Sequence, residues 1–227
     1  MCIRDSRMNT PRRRGRPPAL TRKQVAVAAL EIGFDRLTMA AVRDRLGVGE
    51  STLYRHVPDR DALVELALDR LVGQTAWPPI TGEWRELLET CAMALWHLWE
   101  QHPGAAAEVA RGVIPGAMLT LVDEVCIALM NQGFSAENAV LTCDVVFDLV
   151  TDNRRSVEHQ PGHGTQDAPS RMDELSASAG APGSESAEVA AIHAAMADAF
   201  ASDPRAWFVQ KLEVVLTGVA GTLAPRP

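Results

Sequence analysis

Apolar residues recur along this chain at spacings of three and four, and no stretch shows the period of two that marks a half-buried strand. Val25, Ala28, Ala29 and Ile32 form the inward stripe of a first helix that opens at Thr21, placed as an N-cap, and ends at Gly33. Val42 and Leu46 share one face of a second helix opened by Thr38, and Leu53 and Val57 share one face of a third. Gly47-Val48-Gly49 separates the two, so residues 38 to 60 read as a helix-turn-helix. A fourth helix is expected from Asp59 to about Gly73, with Leu63, Leu66, Ala67 and Leu71 inside and Trp77-Pro78-Pro79 ending it.

The same periodicity continues as helices near 83 to 101, 104 to 111, 115 to 132, 135 to 157, 187 to 201 and 206 to 223, punctuated by Pro103, Pro115 and a glycine stop before Ser135. The expected fold class is therefore all-α. Two stripes are unusually complete: Val140, Cys143, Phe147 and Val150, then Phe208, Leu212, Val215 and Val219. Pattern alone leaves them divided between a buried core and an interface. Residues 159 to 186 differ, being dense in Gly, Pro, Ser and Ala, and read as a flexible loop or insertion.

Composition narrows the class. A chain of 227 residues, 47% hydrophobic, can build a proper core, and it has no apolar run of about eighteen residues that would suggest a membrane span. The expectation is a soluble cytoplasmic protein with no membrane partner. Residues 1 to 7 are too short and charged for a secretory signal, and Met8 offers an alternative start. Cys2, Cys91, Cys126 and Cys143 lie far apart with no zinc-like spacing, and Cys91, Cys126 and Cys143 fall within apolar helical patterns, so buried free thiols are expected there. The formal net charge of -7 hides an asymmetry: residues 1 to 74 carry 14 Lys and Arg against 9 Asp and Glu, the remainder 8 against 20. A basic front beside an acidic remainder suits a DNA-binding domain attached to one that does not bind DNA. With Leu53 and Val57 inward, Ser51, Thr52, Tyr54, Arg55 and His56 face out, a set of donors with one aromatic ring suited to base edges and phosphates.

The stretch Leu46-Gly47-Val48-Gly49-Glu50-Ser51-Thr52-Leu53-Tyr54-Arg55-His56-Val57-Pro58-Asp59-Arg60-Asp61-Ala62-Leu63 resembles the DNA-binding domain of the tetracycline repressor (TetR) family of bacterial transcription regulators. The resemblance implies base contacts from Glu50, Ser51, Tyr54, Arg55 and His56, with Thr52 beside them, and a phosphate contact from the Thr38 hydroxyl. Arg60 stands where the family keeps a phosphate-binding lysine. Ala40 and Arg55 replace an arginine and a tryptophan of the tetracycline repressor itself, so a different operator is implied. Arg-Gly-Arg-Pro at 14 to 17 resembles the core of an AT-hook, which suggests that Arg14 and Arg16 enter a narrow minor groove.

Residues 83 to 91 and 131 to 139 are similar to the ligand-binding and dimerisation domain of the tetracycline-repressor subgroup. That similarity implies a double-stranded palindromic operator, a small-molecule effector that releases it, and a homodimer in which the stripes of Val140, Cys143 and Phe147 and of Phe208, Leu212, Val215 and Val219 meet their twofold mates, with Gly218 and Gly221 allowing close approach. The expected organisation is an arm at 1 to 20, a helix-turn-helix domain at 21 to 68 and a ligand-binding and dimerisation domain at 69 to 227. Trp77, Trp96, His97, Trp99, His102, Arg111, Met118 and Phe147 either line an effector pocket or pack as ordinary helix faces. No histidine lies at 110 to 112, where the tetracycline repressor holds its drug-bound magnesium, so no metal and no cofactor is assigned. Catalytic motifs are lacking, His97 and Glu100 being a chance helical pair, and no enzyme is expected. The competing reading is a helical interaction module without specific DNA binding.

Overall fold

The structure is a computed structural model that describes residues 20–158 and 186–225. Arg14 and Arg16 of the arm, and positions 159 to 185 of the loop, lie outside the described residues. All regular structure among the described residues is helical: α1 Arg22–Ile32, a 3-10 turn Phe34–Arg36, α2 Met39–Leu46, α3 Glu50–Tyr54, α4 Arg60–Gln74, α5 Trp84–Gln101, α6 Ala105–Ala110, α7 Gly116–Asn131, α8 Ala136–Glu158, α9 Ala187–Ala201 and α10 Pro204–Thr222.

The starts of the first helices follow from their caps. Thr21 and Gln24 form a reciprocal capping box, the Thr38 hydroxyl accepts from the Ala41 amide at 3.0 Å, and the Asp59 carboxylate accepts from the Ala62 amide at 2.8 Å. Gly47 ends α2 in the left-handed conformation, φ 64° and ψ 34°, which a residue with a Cβ adopts only with strain. That turn sets the angle between α2 and α3.

Buried Val25, Ala28 and Ala29 of α1, Val42 of α2, Leu53 and Val57 around α3, and Leu63, Val64 and Leu68 of α4 fill a small N-terminal core. It is continuous with the larger one, because α4 also packs on α7. In the C-terminal part α8 is central, touching α5, α6, α7 and α10. Trp96 stacks on Phe208 with centroids 4.6 Å apart, and Trp84 meets Phe134 edge-on at 5.7 Å.

The two complete stripes are resolved as core. Cys143, Phe147, Phe208, Leu212 and Val219 are buried within a single protomer, and Val215 is half-buried. Val140 alone of the set is exposed. The reason is geometric: a stripe at a strict helical period belongs to the face packed first, and α8 and α10 pack on each other. The neighbouring faces carry exposed Leu141 and Val145 on α8 and Val209, Val214, Gly218 and Gly221 on α10. Cys91, Cys126 and Cys143 are buried free thiols, as the pattern predicts, with the Cys126 and Cys143 sulfurs 3.4 Å apart. No helix among the described residues is long and apolar enough to cross a membrane.

Candidate nucleic-acid interface and its link to the core

α3 is a single turn and a half, and its polarity is divided cleanly. Leu53 is buried, while Glu50, Ser51 and Tyr54 on the same helix are exposed, followed by exposed Arg55. Thr52 is half-buried and its hydroxyl accepts from Arg55 at 3.3 Å, which draws that guanidinium back along the helix face. His56 is also half-buried, and its carbonyl accepts from Arg22 of α1 at 2.9 Å, fixing the end of α3 against the first helix. Thr38 is exposed at the start of α2, its hydroxyl engaged as the cap. A groove of about 180 Å³ between α2 and α3 is lined by Met39, Ala40, Arg43, Glu50, Leu53 and Tyr54. The basic residues of α2 are partnered, Arg43 with Asp44 at 2.7 Å and Arg45 with Glu31 at 2.5 Å, whereas Arg55 beside the groove has no carboxylate partner among the described residues.

Arg60 is engaged within the protomer. Its guanidinium donates to both oxygens of Glu108 on α6, at 2.6 and 3.2 Å, and to the Leu37 carbonyl at 3.2 Å. Glu108 is buried, and Arg111 donates to it as well while reaching Asp61 at 3.2 Å. The Glu108 hydrogen bond and charge hold the Arg60 guanidinium above its ordinary range. Three donors of Arg60 are thus committed to a cluster joining α4 to α6. The same seam is tightened at Gly104, whose φ is 88° and where a Cβ would stand 2.8 Å from the Asp35 amide nitrogen. Backbone contact this close needs glycine.

The residues expected around an effector do not converge as one set. Trp96 and Trp99 are fully buried, and Met118 and Phe147 are nearly so. His97 lies on the opposite side of α5, bonded to Glu100 at 3.2 Å and facing a cleft of about 430 Å³ lined also by Leu30, Leu71 and Gln101. Arg111 is exposed in the Glu108 cluster, so neither His97 nor Arg111 joins Trp96 and Trp99. His102 lines the same outer cleft, and burial pushes its imidazole below its ordinary value. Sequence reading missed Glu108, a lone acid in an alanine helix whose partner is 48 positions away. It missed Arg154 too, whose guanidinium lies 4.9 Å over the Trp96 ring.

A glycine-jointed helix pair exposing Ser, Tyr and Arg, carried on a larger helical body, defines a helix-turn-helix protein. The family model described as bacterial regulatory proteins, tetR family, matches residues 26–67, and the HTH-type transcriptional regulator of Saccharopolyspora erythraea is 30% identical over 160 residues, 66% of this chain and 68% of that protein. The chain belongs to the tetR family. The HTH-type transcriptional repressor DrrR1 of Streptomyces coeruleorubidus is 38% identical over 154 residues; these are 65% of this chain but span only 57% of DrrR1. Among solved structures, ActR of Streptomyces coelicolor in complex with actinorhodin superposes with a TM-score of 0.74 at 23% identity, over 92% of this chain and 98% of ActR. A TetR variant from Acinetobacter baumannii in complex with minocycline gives 0.63 at 18%, over 91% and 99%. These likenesses establish the shared fold.

Proposed function

We propose that this protein is a homodimeric repressor that holds a palindromic operator through α3 and leaves it when a small molecule enters the helical domain at about 69 to 227. The observation that carries the reading is the division of α3, which commits Leu53 to the core and presents Ser51, Tyr54 and Arg55 on a surface a major groove can accept. Glu50 stands beside them, an acceptor suited to cytosine, with Thr52 and His56 supporting from behind and the Thr38 cap nearest the backbone. Arg14 and Arg16 add minor-groove contacts. The repressor sign is supported by DrrR1, and the effector by the ligands bound to ActR and the TetR variant.

One α3 covers only a half-site, so twofold symmetry is required to read a full operator. The surface for it is the outward side of α8 and α10, where Leu141, Val145 and Val214 are exposed beside Gly218 and Gly221. Selection of the purified protein against a random duplex library, with enriched sites re-measured at two salt concentrations, tests the whole reading. A palindrome whose affinity falls steeply with salt is expected. A confirmed dimer that enriches no sequence would point instead to a helical interaction module.

A further inference from the structure

A cavity of about 310 Å³ lies between the end of α8, α9 and the start of α10, and its lining residues come from those three helices and the corner that joins the last two. Val157, Met196, Phe200 and Trp207 give it apolar walls, and Lys211 gives it a cation. Lys211 is half-buried, its Nζ donating to the Asn153 side-chain oxygen at 2.7 Å and standing 5.8 Å from the centre of the Trp207 ring. Asn153 is fixed in turn, its amide donating to the Leu149 carbonyl at 2.7 Å. Among the described residues no carboxylate pairs with Lys211, and an ammonium has three donors of which this arrangement uses one. The helix above the cavity is unusual as well. No residue of α9 is buried, yet Val189, Ile192, Met196 and Phe200 repeat at i, i+3, i+7 and i+11, a spacing that makes one apolar stripe. Met196 and Phe200 belong both to that stripe and to the cavity wall.

We propose that this cavity is a binding site for a small monocarboxylate with an apolar body, its carboxylate on Lys211 and its body under α9 against Met196, Phe200 and Trp207. Charge complementarity sets the head group: one cation without an acid of its own takes one anionic group through a charge-assisted hydrogen bond, and Asn153 holds the ammonium in place for it. The walls set the body, because apolar side chains reward an apolar ligand and nothing polar. The volume sets the size, since small-molecule pockets run from about 300 to 1,000 Å³ and this one lies at the lower end. Filling it covers the half of the α9 stripe that Met196 and Phe200 leave open and draws α9 onto α8 and α10. The site requires neither the operator nor a ligand between α5 and α7.

Calorimetric titration of the full-length protein with octanoate, the uncharged octanamide and the tailless acetate separates head from body. Octanoate is expected to bind about tenfold more tightly than octanamide, in line with a hydrogen bond to a charged group, and acetate to give no measurable heat. Lys211→Met is expected to abolish the preference for octanoate while leaving octanamide unchanged. Phe200→Ser, at an exposed position, is expected to weaken both several-fold, and it locates the ligand if Lys211→Met does not fold. Hydrogen exchange in the presence of octanoate is expected to slow the amides of residues 187 to 201. Equal binding of octanoate and octanamide, binding of neither, or slowing confined to α5 and α7 would each overturn the site. A dimer that dissociates in both Phe200→Ser and Ile192→Asp, with α9 already protected in the free protein, would give this face to a second copy of the chain and overturn it as well.

Discussion

Arg60 shows how one side chain changes role with its neighbours. A cation at the start of α4 is well placed for phosphate, yet a bidentate pair with a buried carboxylate is stronger and more geometrically exacting than a solvent-exposed contact. Breaking one partner of a buried pair strands the other, at a cost of about 3 to 5 kcal/mol. Arg111 still serves Glu108 when Arg60 is removed, so Arg60→Ala is expected to lower the unfolding free energy by about 2 kcal/mol, below the full penalty. The slope of operator affinity against salt should hold. A residue on phosphate would behave in the opposite way, reducing that slope by about one and sparing stability. Urea unfolding and salt titration of the one variant therefore distinguish clamp from contact. Tyr54→Ala supplies the contrast: an exposed ring on α3 should cost operator affinity about tenfold, read by fluorescence anisotropy, with the urea midpoint unmoved.

At the scale of elements, the seam between the reading head and the helical body is made by α6, six residues long, which meets both the 3-10 turn and α8. Gly104 begins it in a conformation closed to other residues and with no room for a Cβ. Gly104→Ala should therefore destabilise by about 1 to 3 kcal/mol from backbone strain alone and loosen the docking of α6 on Phe34 and Asp35. Hydrogen exchange should show the excess opening concentrated at residues 33 to 37 and 104 to 111; uniform exchange would deny the seam a separate existence. Elements of this kind explain what was legible beforehand. Caps at Thr21, Thr38 and Asp59, the Gly47 turn and the apolar spacing of α1 to α4 are local signals, so helix positions and the exposed side of α3 could be read directly. Which side of α8 faces inward depends on packing partners far along the chain, and so Cys143, Phe147 and Phe208 could not be divided between core and interface. The Glu108 clamp and the Arg154 stack are likewise contacts between distant segments, with no local pattern to announce them.

For the whole molecule the question is what joins two copies. The proposed face of α8 and α10 carries apolar Leu141, Val145 and Val214, and along the same helix run Asp144, Asp148 and Asp152. Desolvation, then the charges of Asp144 and Asp152, raises the Asp148 carboxyl above its ordinary value within one protomer. A second copy brought against this face removes more water and adds like charge, so the dimer should favour the protonated acid further. The sign follows from linkage: the dimer binds more protons than the separated chains, and association tightens as pH falls from neutrality toward the carboxylate range. Asp148→Asn should then tighten the dimer several-fold at pH 7 and flatten its pH dependence, whereas Val214→Asp should weaken it at least tenfold. Sedimentation equilibrium measures all three. His102 works in the other direction on folding: burial favours its neutral form, so its contribution is fully present above pH 6.5, the ordinary imidazole value, and is lost as pH falls from there through the lowered folded value. Comparing urea midpoints of wild type and His102→Asn at pH 7.5 and 5.5 removes that folding effect from the dimer measurement. Unchanged association of Asp148→Asn and Val214→Asp would place the twofold elsewhere on the molecule.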